Sequence, residues 1–226
     1  LDFRLDLDAI RAAVTPETKI IFINNPNNPT GSALPMDEVS AFLQSIPSDV
    51  IVVMDEAYMD FVTDKNIAKG LDLLETFSSI IVLRTFSKLY GLAGLRVGYG
   101  FSSEKIIDYM NRVRQPFNVN TLAQVGATAA LGDSAFVSET LAIVRDGLSY
   151  LFDELEKIGL EYLPTQTNFF LIKVPMGGKR LYELMLKEGV IIRAMDSYGL
   201  KDYIRINVGL PEENERFIET LKRILG

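Results

Sequence analysis

The chain has 226 residues, of which 48% are hydrophobic and 23% charged, and its formal net charge is −7. It contains no cysteine and no histidine, which excludes disulfides, thiolate nucleophiles, Ser-His-Asp triads and the usual zinc sites from these residues. The negative charge argues against a nucleic-acid surface, and the lack of an apolar run of about 18 residues argues against a membrane span. We therefore expect a cytoplasmic globular protein whose acid–base chemistry uses Lys, Asp, Glu or Tyr, with no metal site.

The first half of the chain predicts a mostly parallel sheet covered by helices. Short runs rich in Val, Ile and Leu alternate with segments of helical periodicity. The predicted strands are residues 19–24, 49–55, 80–84 and 96–101, and the predicted helices are residues 8–14, 36–45, 70–77, 103–113 and 121–131. Nearly continuous apolar strands of this kind are typical of α/β proteins in which both faces of the sheet are covered.

A long helix at residues 134–158 predicts the connection to a second, smaller α+β domain. After it the pattern changes to short strands at residues 162–163, 168–174, 190–193 and 203–208, with a helix at residues 179–188 and a last helix from Pro211. We predict a large domain over residues 1–140 and a small domain over residues 141–226.

Polar side chains follow three consecutive predicted strands, at residues 25–28, 55–58 and 85–88. In open α/β sheets, ligands bind at the carboxyl ends of the strands. The three polar segments are therefore predicted to meet at one binding site.

Lys88 is the residue of most chemical interest in these segments. It lies in Thr85-Phe-Ser-Lys, after an apolar strand, and Arg96 follows eight positions later. A neutral amine can form a Schiff base with a carbonyl group, while hydroxyl groups and a guanidinium can bind a phosphate. Because single motifs arise often by chance, a solvated lysine at a strand end is the competing interpretation for this segment alone.

Four motifs in the same order as in a known family decide between these interpretations. They are Asn-Pro-Asn-Asn-Pro-Thr-Gly at 25–31, Asp-Glu-Ala-Tyr at 55–58, Thr-Phe-Ser-Lys with Gly-Leu-Ala-Gly-Leu-Arg at 85–96, and Tyr-Ile-Arg-Ile-Asn-Val-Gly at 203–209. The chain resembles pyridoxal-phosphate-dependent aminotransferases of fold type I, class I/II, and within them is most similar to the histidinol-phosphate aminotransferases. The resemblance covers nearly the whole chain and implies the fold type I architecture.

The resemblance implies which residues bind pyridoxal 5'-phosphate. Lys88 is the lysine that bonds covalently to the cofactor and then moves the substrate α-proton. Asp55 pairs with the pyridine nitrogen, while Asn28 and Tyr58 donate hydrogen bonds to the phenolic oxygen. The phosphate is bound by Thr85, Ser87 and Arg96. Local interpretations compete at several positions: turn formation for Asn28, a helix cap for Asp55, and a backbone hydrogen bond for each hydroxyl. For Glu56 a structural role is favoured.

Substrate recognition is assigned by the same resemblance to Arg205, Arg193 and Asn168. Arg205 lies inside an otherwise apolar strand, where an unpaired charge is costly. It corresponds to the arginine that binds the substrate carboxylate or phosphate, and Arg193 to a second arginine used for phosphate. A solvated strand-end arginine is the alternative for Arg193.

Three functions follow as hypotheses. The first is an aminotransferase that acts on L-histidinol phosphate and 2-oxoglutarate in histidine biosynthesis. The second keeps the cofactor but changes the reaction, to an aromatic aminotransferase or a threonine-phosphate decarboxylase. The third is a non-catalytic binding domain or an inactive fragment of this fold, which is disfavoured because Lys88 and Asp55 are both present.

The resemblance also implies features outside these residues. Relatives have more than a hundred residues before the position of Leu1, which carry a Gly-rich phosphate turn, an aromatic side chain that stacks on the cofactor and a Tyr that completes the partner subunit's site in a homodimer. We expect the strand at residues 19–24 to lie at a sheet edge for this reason. The resemblance further implies that the substrates of this protein are a small amino donor and a 2-oxo acid.

Overall fold

The structure, a computed structural model, describes residues 3–226. It divides into two compact units, the first formed by residues up to Asn28 together with Ser32–Val137, the second by Pro29–Gly31 and Ser138–Gly226. The division falls inside a long helix. The domain bounds of 1–140 and 141–226 stay a prediction.

Within the described residues, the first unit contains a four-stranded sheet and five α-helices. Its strands are β1 (Ile20–Asn24), β2 (Ile51–Asp55), β3 (Ile80–Thr85) and β4 (Gly98–Ser102), and its helices are α1 (Leu7–Ala12), α2 (Met36–Ser45), α3 (Gly70–Leu73), α4 (Glu104–Val113) and α5 (Thr121–Gly132). The strands lie in the order β1-β2-β3-β4, with β1, β2 and β3 parallel and β4 antiparallel to β3. The short connection from Thr85 to Gly98 explains the reversal, since a parallel return requires a crossover, usually through a helix.

One face of this sheet packs against α2 and α3. Side chains that point to that face include Ile21, Ile23, Val52, Met54 and Val82, and all are buried in one apolar cluster with Val39 and Phe42 of α2. Strand side chains alternate between faces, so this packing fixes which residues of β1–β3 point to the opposite face. Asp55 and Thr85 belong to that opposite set.

Strand β1 lies at one edge of the sheet, as expected. Within the described residues its second face is open to solvent, because Ile20 is 51% and Phe22 is 65% exposed. An exposed apolar edge strand is uncommon, since it presents an unpaired backbone and apolar side chains to other chains.

The second unit is a three-stranded antiparallel sheet with three helices. The strands are β5 (Phe169–Lys173), β6 (Arg193–Ala194) and β7 (Tyr203–Asn207) in the order β5-β7-β6, and the helices are α6 (Ser134–Lys157), α7 (Gly178–Lys187) and α8 (Pro211–Leu225). Phe170, Ile172, Ile204 and Ile206 point to one face and form a single buried cluster with the apolar sides of the helices. Helix α6 begins in the first unit and supplies Leu151 and Leu155 to this core.

Four local predictions are wrong in their extent. The helix predicted at residues 70–77 ends at Leu73, after which turns lead into β3. The strand predicted at residues 96–101 begins at Gly98, and the strand predicted at 190–193 is reduced to Arg193–Ala194. At residues 162–163 the structure has an isolated bridge between Tyr162 and Ile172 in place of a strand. The length of a strand depends on how far a neighbouring strand can pair with it. Local hydrophobic periodicity carries no information about that neighbour, so it predicts strand ends poorly.

Within residues 3–226, no single helix is long and apolar enough to cross a membrane; α5 and α6 meet that length and composition only as a bent pair. The same residues contain no group of three or more Asp and Glu side chains arranged to hold a metal ion.

Candidate active site

The first strand end combines a structural asparagine with a candidate ligand. Asn25 is fully buried; its Nδ2 donates to the carbonyl oxygens of Leu34 (3.3 Å) and Ala68 (3.0 Å), and its Oδ1 accepts from the Leu34 amide (2.7 Å). These bonds hold the turn that follows β1. Three residues later, Asn28 Nδ2 donates to Tyr58 Oη at 3.4 Å.

The second strand end positions Asp55 and Tyr58. Asp55 ends β2 and is half-buried, and its Oδ1 accepts a hydrogen bond from the Ala57 amide at 3.1 Å. This bond turns the chain sharply after the strand. Tyr58, only 8% exposed, follows at the start of a 3₁₀ turn over Met59–Phe61.

The third strand end positions Lys88. Its Nζ lies 5.2 Å from the centroid of the Tyr58 ring, which is within the range of a cation–π contact. Lys88 is exposed, and its carbonyl oxygen accepts from the Gly91 amide at 3.0 Å in a tight turn. The amine and the Asn28–Tyr58 pair therefore lie beside one another at the carboxyl edge of the sheet.

The two hydroxyl groups near Lys88 differ in what they bind. Thr85 Oγ1 accepts the Ser87 amide at 3.0 Å, which is the local backbone bond that competes with a ligand role. The chain turns after Thr85 instead of remaining extended. Ser87 Oγ accepts from Arg96 Nη1 at 3.5 Å, so a hydroxyl group and a guanidinium converge here.

Arg96 has a backbone conformation that the sequence did not predict. It caps a 3₁₀ turn over Ala93–Leu95 with φ 55° and ψ 50°, in the left-handed region, and its Nη1 also donates to the Ala93 carbonyl at 2.7 Å. A non-glycine residue in this region is strained by about 1–3 kcal/mol, and such residues cluster at ligand sites. Arg96 therefore precedes β4 instead of starting it, and its side chain turns back towards Ser87.

A buried ion network behind these strand ends was missed by sequence reasoning. Arg84 donates through Nε to Glu56 Oε2 at 2.7 Å, its Nη2 lies 2.6 Å from the same oxygen, and its Nη1 donates to Asp60 Oδ1 at 3.3 Å. Burial raises the pKa of Glu56, while the Gly70 amide and Arg84 oppose that rise. Burial also raises the pKa of Asp60. The available signal was a single arginine at the end of the apolar run Ile80–Leu83.

The second unit holds the other three candidate residues. Arg193 of β6 and Arg205 of β7 are directly opposite in the antiparallel register, and therefore point to the same face of the sheet. The Arg205 guanidinium lies 4.8 Å from the centroid of the Phe169 ring. Asn168 Oδ1 is buried and accepts no hydrogen bond from any residue that the structure describes.

Comparison with known proteins identifies the family. The sequence matches the family "Aminotransferase class I and II" over residues 1–221. The chain belongs to this family. It is 44% identical over 226 residues to a histidinol-phosphate aminotransferase of Moorella thermoacetica, aligning over 100% of this chain and 58% of the relative.

Solved structures of this family share the fold. A histidinol-phosphate aminotransferase of Sinorhizobium meliloti, in complex with pyridoxal-5'-phosphate, superposes with a TM-score of 0.89 at 29% identity, covering 99% of this chain and 63% of that one. An L-threonine-O-3-phosphate decarboxylase of Porphyromonas gingivalis superposes with a TM-score of 0.79 at 27% identity, covering 94% and 66%. The predicted family and α/β fold are confirmed. This chain spans roughly three fifths of the length of these aminotransferase relatives.

Proposed function

We propose that this aminotransferase-family chain uses pyridoxal 5'-phosphate to transfer an amino group between L-histidinol phosphate and 2-oxoglutarate, in histidine biosynthesis. The observation that carries the proposal is the convergence of Asn28, Tyr58 and Lys88 at the carboxyl edge of one sheet. Lys88 is exposed, but its amine lies beside a buried tyrosine that accepts a hydrogen bond from another strand end, and this favours a site over an isolated surface lysine.

The residues present fit the cofactor. Arg96 and Ser87 supply a guanidinium and a hydroxyl group in contact with one another, which suits a phosphate dianion. Asp55 supplies a half-buried carboxylate at the end of β2, which suits a protonated ring nitrogen. Asn28 and Tyr58 supply polar hydrogens for a phenolic oxygen, and Thr85 adds a second hydroxyl beside the phosphate position.

The chemistry divides between the cofactor and the protein. Bound pyridoxal phosphate supplies a ring that accepts the electron pair left when the substrate α-proton departs. Lys88 Nζ would accept that proton and later return it. Asp55 would pair with the ring nitrogen, and a carboxylate at that position would favour the protonated form of the nitrogen.

The two arginines of the second unit support a phosphorylated substrate. Like charges directly opposite one another on neighbouring strands destabilise a sheet. Arg193 and Arg205 are such a pair, and an anion bound by both removes the repulsion. Asn168 Oδ1 is buried and accepts no hydrogen bond from the described residues, so it could accept one from a donor group of the substrate.

A second candidate is a threonine-phosphate decarboxylase, favoured by the likeness to the Porphyromonas gingivalis enzyme. Both reactions need a phosphorylated substrate, so the arginine pair does not distinguish them. The identity of 44% to a histidinol-phosphate aminotransferase favours transamination.

A half-reaction distinguishes these candidates. The complete gene product, loaded with pyridoxal phosphate, is mixed rapidly with L-histidinol phosphate in the absence of a 2-oxo acid. We expect stoichiometric conversion of the cofactor to pyridoxamine phosphate, followed by spectroscopy and mass spectrometry, and its return on addition of 2-oxoglutarate. In the control arm, O-phospho-L-threonine should release no carbon dioxide. Carbon dioxide release there, without conversion by histidinol phosphate, would contradict the proposal.

We also propose a homodimer in the cytoplasm, with a small amino donor and a 2-oxo acid as ligands. Support for these points comes from the family resemblance. Sedimentation of the complete gene product at micromolar concentration measures the oligomeric state.

A further inference from the structure

Glu56, Arg84 and Asp60 form the buried ion network described above, and its cost points to a role beyond stability. The Glu56 side chain is 0% exposed, that of Arg84 11% and that of Asp60 21%. Buried ion pairs are often no more stabilising than apolar side chains of the same volume, because each ion loses its hydration. This network also sets two carboxyl groups against one guanidinium, and burial raises the pKa of both carboxyl groups.

The network joins the segments that carry the proposed cofactor ligands. Glu56 directly follows Asp55, and Arg84 directly precedes Thr85. Asp60 lies in the 3₁₀ turn that follows Tyr58. One guanidinium therefore connects the end of β2, the end of β3 and the turn that carries Tyr58, across sequence separations of 28 and 24 residues.

These ions lie on the opposite side of the sheet from the cofactor ligands. Side chains alternate along a strand, so Arg84 points away from the face to which Thr85 points. A Cβ built on Gly70 would meet Val82, Glu56 Oε1 and Met54, which places Glu56 on the packed face with the core. The Gly70 amide donates to Glu56 Oε1 and anchors this carboxylate to the start of α3. The network thus joins the strand ends on the packed face of the sheet, opposite the face that carries Asp55 and Thr85.

We propose that the buried ion network is a positioning device, in which Glu56, Arg84 and Asp60 fix Asp55 and Tyr58 relative to Lys88. Hydrogen bonds to charged groups are directional and short, so they hold the strand ends more closely than apolar packing. The backbone continues this connection, since the Glu56 amide donates to the Leu83 carbonyl at 3.0 Å and the Asn25 amide to the Asp55 carbonyl at 3.0 Å. This inference rests on the proposed function.

The test removes all three charges at once, so that no buried ion is left unpaired. The variant E56Q/R84M/D60N keeps the side-chain volumes and the acceptor for the Gly70 amide. We expect its melting temperature to stay close to that of the wild type, while the Kd for pyridoxal phosphate rises by about 10-fold, as is reasonable for coupled residues. The pH at which the visible band of the bound cofactor changes should also shift, because Asn28 and Tyr58 move relative to its phenolic oxygen.

A matched control removes an exposed ion pair by the same chemistry. Lys173 and Glu161 lie 3.0 Å apart with side chains that are 49% and 76% exposed, so E161Q/K173M should change neither the Kd nor the spectrum. If the triple variant does not fold, the R84K variant tests the inference instead. It keeps the positive charge but loses the planar guanidinium that donates to both carboxyl groups, and we expect the Kd for pyridoxal phosphate to rise by about 3-fold.

One outcome overturns the inference. A folded triple variant, or R84K in its place, whose Kd and spectral pH profile equal those of the wild type would show that the network does not position the site. Failure of the cofactor site itself looks different, because the wild-type protein would then bind no pyridoxal phosphate. Failure of the substrate assignment alone leaves the wild-type Kd for pyridoxal phosphate measurable and is seen only in the half-reaction.

Discussion

At the scale of single residues, the candidate site depends on one amine. Lys88 Nζ lies over the Tyr58 ring, while Asn28 donates to the same tyrosine. The lack of histidine and cysteine makes Lys88 the strongest candidate for both bond formation and proton transfer. Its importance is therefore directly testable.

Lys88→Ala should abolish covalent attachment of pyridoxal phosphate in the complete gene product. Borohydride reduction followed by peptide mass spectrometry locates the attachment, and we expect the turnover rate to fall by about 100-fold or more, since a positioned base contributes that much. Lys105→Ala, an exposed lysine of α4, is the matched control and should leave both measurements unchanged. A labelled peptide in the Lys88→Ala protein that maps to another lysine would refute the assignment.

Residue identity and residue geometry were predictable to different degrees. Composition and motif order are enough to indicate Lys88, Asp55 and Tyr58. The left-handed conformation of Arg96 was not predictable, because arginine, unlike glycine or asparagine, does not signal a positive φ in the sequence. The geometry at Thr85, by contrast, was predictable. The sequence suggested a local backbone hydrogen bond for its hydroxyl group, and the Ser87 amide donates to Thr85 Oγ1.

At the scale of secondary structure, close backbone contacts decide how elements pack. Gly178 begins α7, and a Cβ at this position would lie 2.3 Å from the Tyr203 carbonyl oxygen of β7. That oxygen is backbone and cannot rotate away. The sheet and α7 therefore approach one another more closely than any other residue allows.

Gly178→Ala should reduce the free energy of unfolding by about 1–3 kcal/mol, the usual cost of overpacking. Chemical denaturation followed by circular dichroism measures this change. Gly132→Ala is the matched control, because a Cβ at the end of α5 would meet no atom within 4 Å. That control should be neutral or stabilise slightly, by up to about 1 kcal/mol. Equal effects of the two substitutions would contradict the packing argument.

At the scale of the whole molecule, stability depends on pH through ion pairs such as those that Glu154 forms with Lys157 and Lys222. Its carboxylate lies 2.6 Å from Lys157 Nζ and 2.5 Å from Lys222 Nζ, and so connects α6 to α8. Hydrogen bonds from these two lysines lower the pKa of Glu154 from 4.5 to about 2. A lowered pKa means that the folded protein binds this proton less readily than the unfolded chain.

The contribution of Glu154 to stability should therefore be fully present above pH 4.5 and be lost as the pH falls towards about 2. Denaturant titrations of the wild-type protein and Glu154→Gln between these values measure the loss. The difference between the two proteins should shrink as the pH falls, whereas Glu139→Gln, an exposed position on the same helix, should behave like the wild type throughout. A difference that stays constant with pH would show that Glu154 acts through packing alone.

Sequence alone determined the family, the alternation of strands and helices, and the chemical groups available to the site. It did so because motif order, hydrophobic periodicity and composition can be read along the chain without knowing which residues meet in space. Tertiary structure alone decided the Glu56–Arg84–Asp60 network and the opposition of Arg193 and Arg205. Both depend on which strands lie side by side, and strand periodicity predicts which face a side chain occupies but not which strand lies beside it.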